Sequence, residues 1–191
     1  MPATTLDPKT ALVVIDLQKG LAAYPTVHPF KDVVANNVKL ANAFRAVKLP
    51  VFLVTAGPSA DGEDWVNVRT DAPRHALKNL PPEFKEVVPE LAGHPEDFLI
   101  HKRQPNAFFG TELDLQLRRR RVTGIVLTGV STSQGVDCTA RAANELGYNI
   151  TFASDAMTDV DVASHEHILG KYFPKIGEID TTAAILKLIS R

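Results

Sequence analysis

Residues 11–20 read ALVVIDLQKG: five apolar residues in a row, then an aspartate, then a short polar stretch closed by glycine. An apolar run without polar alternation is the pattern of a strand buried on both faces of a parallel sheet. Similar runs recur at 51–55, 98–100, 125–128 and 150–153, with a weaker sixth candidate at 175–179. Between the first two, Val34, Val38, Ala41, Phe44 and Val47 follow one another at spacings of three and four, the stripe of an amphipathic helix. The stretch therefore opens a βαβ unit. A second helix is expected from Thr111, which with Asp114 resembles a capping box, through the arginines 118–121 to Gly124. A third is expected at 136–146, opened by Ser131, Thr132, Ser133 and Gln134 and stopped by Gly147. Two more are expected at 162–171 and 182–190. The sum is an α/β fold: a doubly wound, mainly parallel, Rossmann-like sheet of about six strands in a three-layer α/β/α sandwich.

The chain has 191 residues, 45% of them apolar, enough for one domain core over 1–191. Residues 57–95 break the rhythm, holding six of the thirteen prolines (58, 73, 81, 82, 89 and 95) and the only tryptophan, Trp65. A long excursion with little regular structure is expected there. Trp65 and Phe84 within it suggest packing against something, which leaves a lid or a subunit contact and a plain insertion as the two readings. A net charge of −1 offers no field to gather nucleic acid or an anionic membrane. The single cysteine, Cys138, excludes an intrachain disulfide and any multi-cysteine metal site, which fits a reducing compartment. No apolar run reaches the ~18 residues of a membrane span, and the first ten residues lack a signal-peptide core, so a cytoplasmic location is expected.

In open parallel sheets ligands bind beyond the carboxyl ends of the strands. Asp16 follows the first run, Lys102 stands two residues after Ile100, residues 129–135 follow Thr128, and Asp155 follows Ala153. A carboxylate, an ammonium and a helix start converging on one crevice form a kit for hydrolysing a small molecule.

The longer patterns are more specific. ALVVIDLQKG (11–20), KRQPNAFFGTEL (102–113), GIVLTGVSTSQGVDCTARAANELGY (124–148) and DAMTD (155–159), in this order, resemble the isochorismatase-like hydrolases, also called the cysteine hydrolase family. The resemblance runs from residue 11 to about 188. It implies an α/β/α sandwich and an Asp, Lys, Cys triad whose first two positions match Asp16 and Lys102. The third matches Gly135, its register fixed by Gly129, Val130, Thr132, Thr139 and Ala140, so the nucleophile position is vacant. It further implies a non-proline cis peptide near Val130 and Ser131, and oligomers, dimers or larger, with pockets near subunit contacts.

Three readings of Gly135 follow. Isochorismatases resemble this chain in carrying glycine there, and cleave a vinyl ether to pyruvate with the aspartate as general acid. On that reading Lys102 anchors a small anionic substrate, and the acid role of Asp16 needs burial or a substrate carboxylate to counter the ammonium beside it. Two departures from the isochorismatases are visible: Thr55, Ala56, Gly57, Pro58 stand in place of T-x-Q-P, and Asp16, Leu17, Gln18 in place of D-M-Q. The second reading is an amide hydrolase using Cys138, about 60° round a helix and one turn away. The third is a binding or assembly protein that kept the pocket and lost the reaction. Around the triad positions, Gln18, Phe108, Val130, Ser131, Thr132 and Gln134 are candidate substrate contacts, with the 131–135 turn as an anion cradle at the helix start; Phe108 and Phe109 offer an apolar wall, with at least one of the two expected in the core. No metal or cofactor is expected: TAGPSADGEDW (55–65) lacks the D-x-H of metal-binding amidases of the family, and His165 and His167, two residues apart on a helix, point to different sides.

Overall fold

The computed structural model describes residues 2–66, 68–71 and 80–189. Its centre is β1 (Thr10–Ile15), in which all six residues are buried. The remaining strands are β2 (Val51–Ala56), β3 (Phe98–Lys102), β4 (Gly124–Val130), β5 (Asn149–Thr158) and β6 (Glu178–Asp180). They pair in parallel throughout, in the order β3-β2-β1-β4-β5-β6. The helices are α1 (Phe30–Ala46), α2 (Leu113–Arg119), α3 (Asp137–Glu145), α4 (Val162–His167) and α5 (Thr182–Ile189).

Alternation along β1 divides the core in two. Ala11, Val13 and Ile15 meet Leu113 and Leu117 of α2 and Ala140 and Ala143 of α3. Leu12 and Val14 meet Leu40, Ala41 and Phe44 of α1 and Ile185 of α5 on the other face. That is the expected α/β/α sandwich, and an unbroken apolar strand is what two such faces require.

Several boundaries differ from the sequence expectation, each for a local reason. β5 runs on through Asp155 to Thr158, because the Asp155 carboxylate turns off the sheet to accept from the amide and hydroxyl of Thr182 at the start of α5. Asp155 is thus a helix anchor and not a cleft residue. α2 begins at Leu113: the Thr111 hydroxyl accepts from Leu113 N–H and donates to Ala107, while Asp114 accepts from Tyr148 and Arg118 instead of closing a capping box. The chain leaves α2 at Arg121, which has φ 56°, and Gly124 is already the first residue of β4. Arg118 and Arg120 lie over the rings of Tyr148 and Phe98, so half of the basic run is packing. The helix expected at 162–171 is α4 followed by a wider π-helical turn at 168–172, and β6 falls at 178–180 rather than 175–179. Residue 190, the expected end of the last helix, and Pro73 of the excursion lie outside the described residues.

The sheet order places a topological switch between β1 and β4, whose chains leave their carboxyl ends in opposite directions and open a crevice. Gly129, at that point on β4, has φ 115°, and a Cβ on it would stand 2.0 Å from the Ile15 carbonyl. Only glycine fits so close to β1.

Candidate active site

Three chain segments meet at this switch. Asp16, the residue after β1, has φ 54° and is buried. Lys102, the last residue of β3, reaches past β2 and donates from Nζ to Asp16 Oδ2 at 2.7 Å, with side-chain exposures of 2% and 9%. Gly135 comes from the turn after β4; a Cβ built on it would lie 3.2 Å from Asp16 Oδ2 and 3.0 Å from Ile15 Cγ2. The triad positions are therefore contiguous, and the vacant one presses against the aspartate.

Asp16 is left half satisfied. Its Oδ1 is buried and has no hydrogen-bond partner. Burial pushes its carboxyl above the ordinary carboxylate value, and Lys102 opposes that shift without reversing it. A proton taken up by this carboxyl belongs on Oδ1, since Oδ2 faces an ammonium that can only donate.

A cleft of about 190 Å³ opens over the pair. Its polar lining is Asp16, Lys102, Gln18, Ser131 and Gln134; its apolar walls are Leu21, Tyr24, Trp65, Phe84, Pro105 and Val130, with Ala56 and Gly135 between. Gln18 is fully buried and spends its carboxamide on the walls: Nε2 donates to Ala56 (2.9 Å) and Phe84 (3.0 Å), and Oε1 accepts from Ala56 (2.8 Å). It fastens the end of β2 and the Phe84 segment to Asp16's own loop. The bonds from Lys19 N–H to Glu86 and from Val88 N–H to Leu17 extend the seam. So the described part of the proline-rich excursion forms cleft wall through Trp65 and Phe84.

The turn at Ser131 is fixed from behind. The Val130–Ser131 peptide is cis. Ser133 N–H donates to Asp159 at 2.6 Å, and Gln134 and Val136 N–H groups donate to the Ser131 carbonyl. Thr132 is buried away from the cleft. Its hydroxyl donates to Thr158 (3.1 Å) and accepts from His165 Nδ1 (2.9 Å), which places that ring's proton on Nδ1. The anion cradle expected over 131–135 is thus largely spent on the protein itself, and of the turn only Val130, Ser131, Gln134 and Gly135 face the cleft.

Two further residues lie off the cleft. Phe108 stacks on Tyr148 at 5.8 Å and packs against the core on the α2–α3 face, not on the cleft; an aromatic flanked by Ala107 reads the same from sequence whichever way the loop turns. Cys138 is half-buried and outside the lining, and burial together with Asp137 pushes its thiol up, against nucleophilic use. Among the described residues no three His, Cys, Asp or Glu side chains converge as a metal site, and no helix is long and apolar enough to cross a membrane.

The model of the isochorismatase domain matches residues 10–184. The chain belongs to the isochorismatase family. It is 42% identical to the uncharacterized isochorismatase family protein YecD of Escherichia coli O157:H7, over 94% of this chain and 96% of that one. The structure of an isochorismatase family protein from Burkholderia thailandensis superposes with a TM-score of 0.94, at 44% identity and 98% coverage of both chains. More distantly, the chain is 29% identical to the ureidoacrylate amidohydrolase RutB of Stutzerimonas stutzeri, over 78% of this chain and 69% of that one. This member of the isochorismatase family is a hydrolase by kinship.

Sequence reading missed Thr139, Asp159 and His165 as parts of the site. Ala107 N–H donates to the Thr139 hydroxyl (3.1 Å), which donates to the Gly135 carbonyl (2.6 Å), tying the loop after Lys102 to the turn after β4. The stretches quoted at 102–113 and 124–148 contain both partners; what the sequence lacks is any mark that they touch.

Proposed function

We propose that this isochorismatase-family hydrolase works without a covalent nucleophile, using Asp16 as general acid on a small anionic vinyl ether of the enolpyruvyl type. The observation that carries the reading is the buried, unpartnered Oδ1 of Asp16 beside an empty nucleophile position. Burial keeps the carboxyl protonated to higher pH than usual, which a general acid needs. Lys102 holds the substrate carboxylate, with Ser131 and Gln134 facing the same space.

Asp16 Oδ1–H gives its proton to the terminal vinyl carbon, and the ether oxygen stabilises the cation left on its neighbour. Water adds there and returns a proton to Asp16. The hemiketal then collapses to pyruvate and an alcohol, so one water is consumed and the acid is regenerated. Amide hydrolysis of the kind named for RutB is disfavoured here, because no thiol faces the cleft among its described lining residues. Pyruvate release from a panel of enolpyruvyl ethers, isochorismate included, tests the reading. Release that Asp16→Asn abolishes supports it; release that survives Asp16→Asn but is lost on alkylating Cys138 rejects it.

A further inference from the structure

Among the described lining residues the cleft holds one cation, Lys102, and one carboxylate, Asp16, already joined to each other. No second cation lines the cleft among its described residues: Ser131 and Gln134 offer only neutral donors, and Gln18 is occupied by Ala56 and Phe84 and Ser133 N–H by Asp159. A ligand carboxylate that reaches Lys102 therefore arrives beside Asp16 where both side chains are nearly buried. Two carboxylates that close do not both stay ionised, and the one with a free, buried oxygen and a carboxyl already raised by burial is Asp16. The walls supplied by Tyr24, Trp65 and Phe84 favour a flat body, and the volume is below the ~300–1,000 Å³ of drug-sized sites.

We propose that the cleft is a proton-linked receptor for a flat, singly charged anion: Lys102 exchanges Asp16 for the ligand's carboxylate, and Asp16 takes up one proton on Oδ1. One anion and one proton enter together, so the buried charge stays balanced. A neutral ligand leaves the Lys102–Asp16 pair intact and gains nothing from it. A dianion leaves one charge without a counter-cation, with only neutral donors to meet it. For an enolpyruvyl ether, this means that the enolpyruvyl carboxylate is the one charge and the group it is cleaved from is neutral. The proposal rests on the preceding reading for the roles of Lys102 and Asp16. The other titratable groups around the pair are few. Tyr24 faces the cleft from the segment after β1, and Cys138 on α3 lies within electrostatic reach of Lys102. Lys85, Asp64 and Arg103 are turned to Pro58 and to each other.

Trp65, the only tryptophan, lines the cleft, so the intrinsic fluorescence of the full chain reports occupancy. The probes are benzoate, its neutral isostere benzamide and the dianion isophthalate, titrated between about pH 6.5 and 8.5, where the carboxylates stay ionised. Expected is a benzoate affinity that falls about tenfold per pH unit, the signature of one proton taken up on binding. At the low end, benzamide and isophthalate should bind at least ~10-fold more weakly, with benzamide flat in pH. In Asp16→Asn, benzoate should keep its low-pH affinity across the range, because the carboxamide stands in for the protonated acid. Calorimetry in buffers of different ionisation heat should count one proton. A flat wild-type profile, benzamide matching benzoate, isophthalate binding more tightly, or no saturable benzoate binding by either method overturns the proposal. No probe is a vinyl ether, so the hydrolase reading fails separately. Binding as expected with no pyruvate from any ether keeps this inference and loses the reaction, and cleavage with flat benzoate affinity does the reverse.

Discussion

Asp97 and Lys102 bracket the same strand, β3, and each is half of a buried ion pair. At the first end, Arg45 of α1 grips Asp97 through Nε (3.1 Å) and Nη2 (2.5 Å), and spends two more donors on Asn42 (3.0 Å) and the Leu91 carbonyl (3.3 Å). The side chains are 8% and 3% exposed. At the other end, Lys102 and Asp16 share a single contact and leave one carboxylate oxygen bare. Burial is alike; completeness is not. A forked guanidinium on both carboxylate oxygens leaves neither oxygen bare, which suits a clamp. A point-charge ammonium on one oxygen leaves the other able to carry a proton.

The comparison can be broken at either end. The largest expected effect is on turnover: Asp16→Asn, nearly isosteric, should cut pyruvate release by about 10²–10⁴-fold while the folded structure persists by circular dichroism. Retained activity would remove the distinction between the two pairs. Next comes the clamp. Asp97→Ala strands a buried guanidinium and should lower unfolding free energy by about 3–5 kcal/mol in urea, leaving kcat of the folded enzyme close to wild type. A loss under ~1 kcal/mol would mean the forked pair is not a clamp. The pH profile is the third test. Asp16 acts in its protonated form, and burial raises its pKa, so kcat/KM should hold through the ordinary carboxylate range near pH ~4 and then fall about tenfold per unit as pH rises through the raised value. A profile that rises with pH would assign the group a base's role. Gly135→Ala places a methyl 3.0–3.2 Å from Ile15, Asp16 and the Val130 carbonyl, and should cost about 1–3 kcal/mol of stability. The smallest effect is Cys138→Ala, with activity changed by less than about twofold, since the thiol is not among the described residues that line the cleft.

What could be read from sequence divides along the same line. Asp16 and Lys102 were legible because apolar runs mark buried parallel strands whose carboxyl ends border the crevice, and because the longer sequence patterns match these two positions; position at a strand's end alone does not suffice, as Asp155 shows. The Arg45–Asp97 clamp was not legible, as nothing local tells a buried arginine from a helix-end cation. Gln18 was recognised at the cleft, but its use as a fastener depends on Ala56 and Phe84, both far away in sequence. Trp65 and Phe84 stood out only as aromatics in an irregular stretch; that they wall the cleft follows from the seam along residues 17–19. Whether Phe108 or Phe109 enters the core could not be read, because a loop aromatic has no period to say which way it faces. The extra length of β5 was hidden because Asp155 reads as a strand's end when its helix partner is unknown.

The Thr139 hydroxyl, accepting from Ala107 and donating to Gly135, makes two loops from different strands into one mechanical part. Such a splice limits how new specificities can arise on this scaffold. A recombined protein that inherits the loop after β3 from one parent and the turn after β4 from another breaks the joint even when every catalytic residue is present. The two segments therefore travel as a pair, and libraries that shuffle them together should retain far more folded, ligand-competent members than libraries that cut between them.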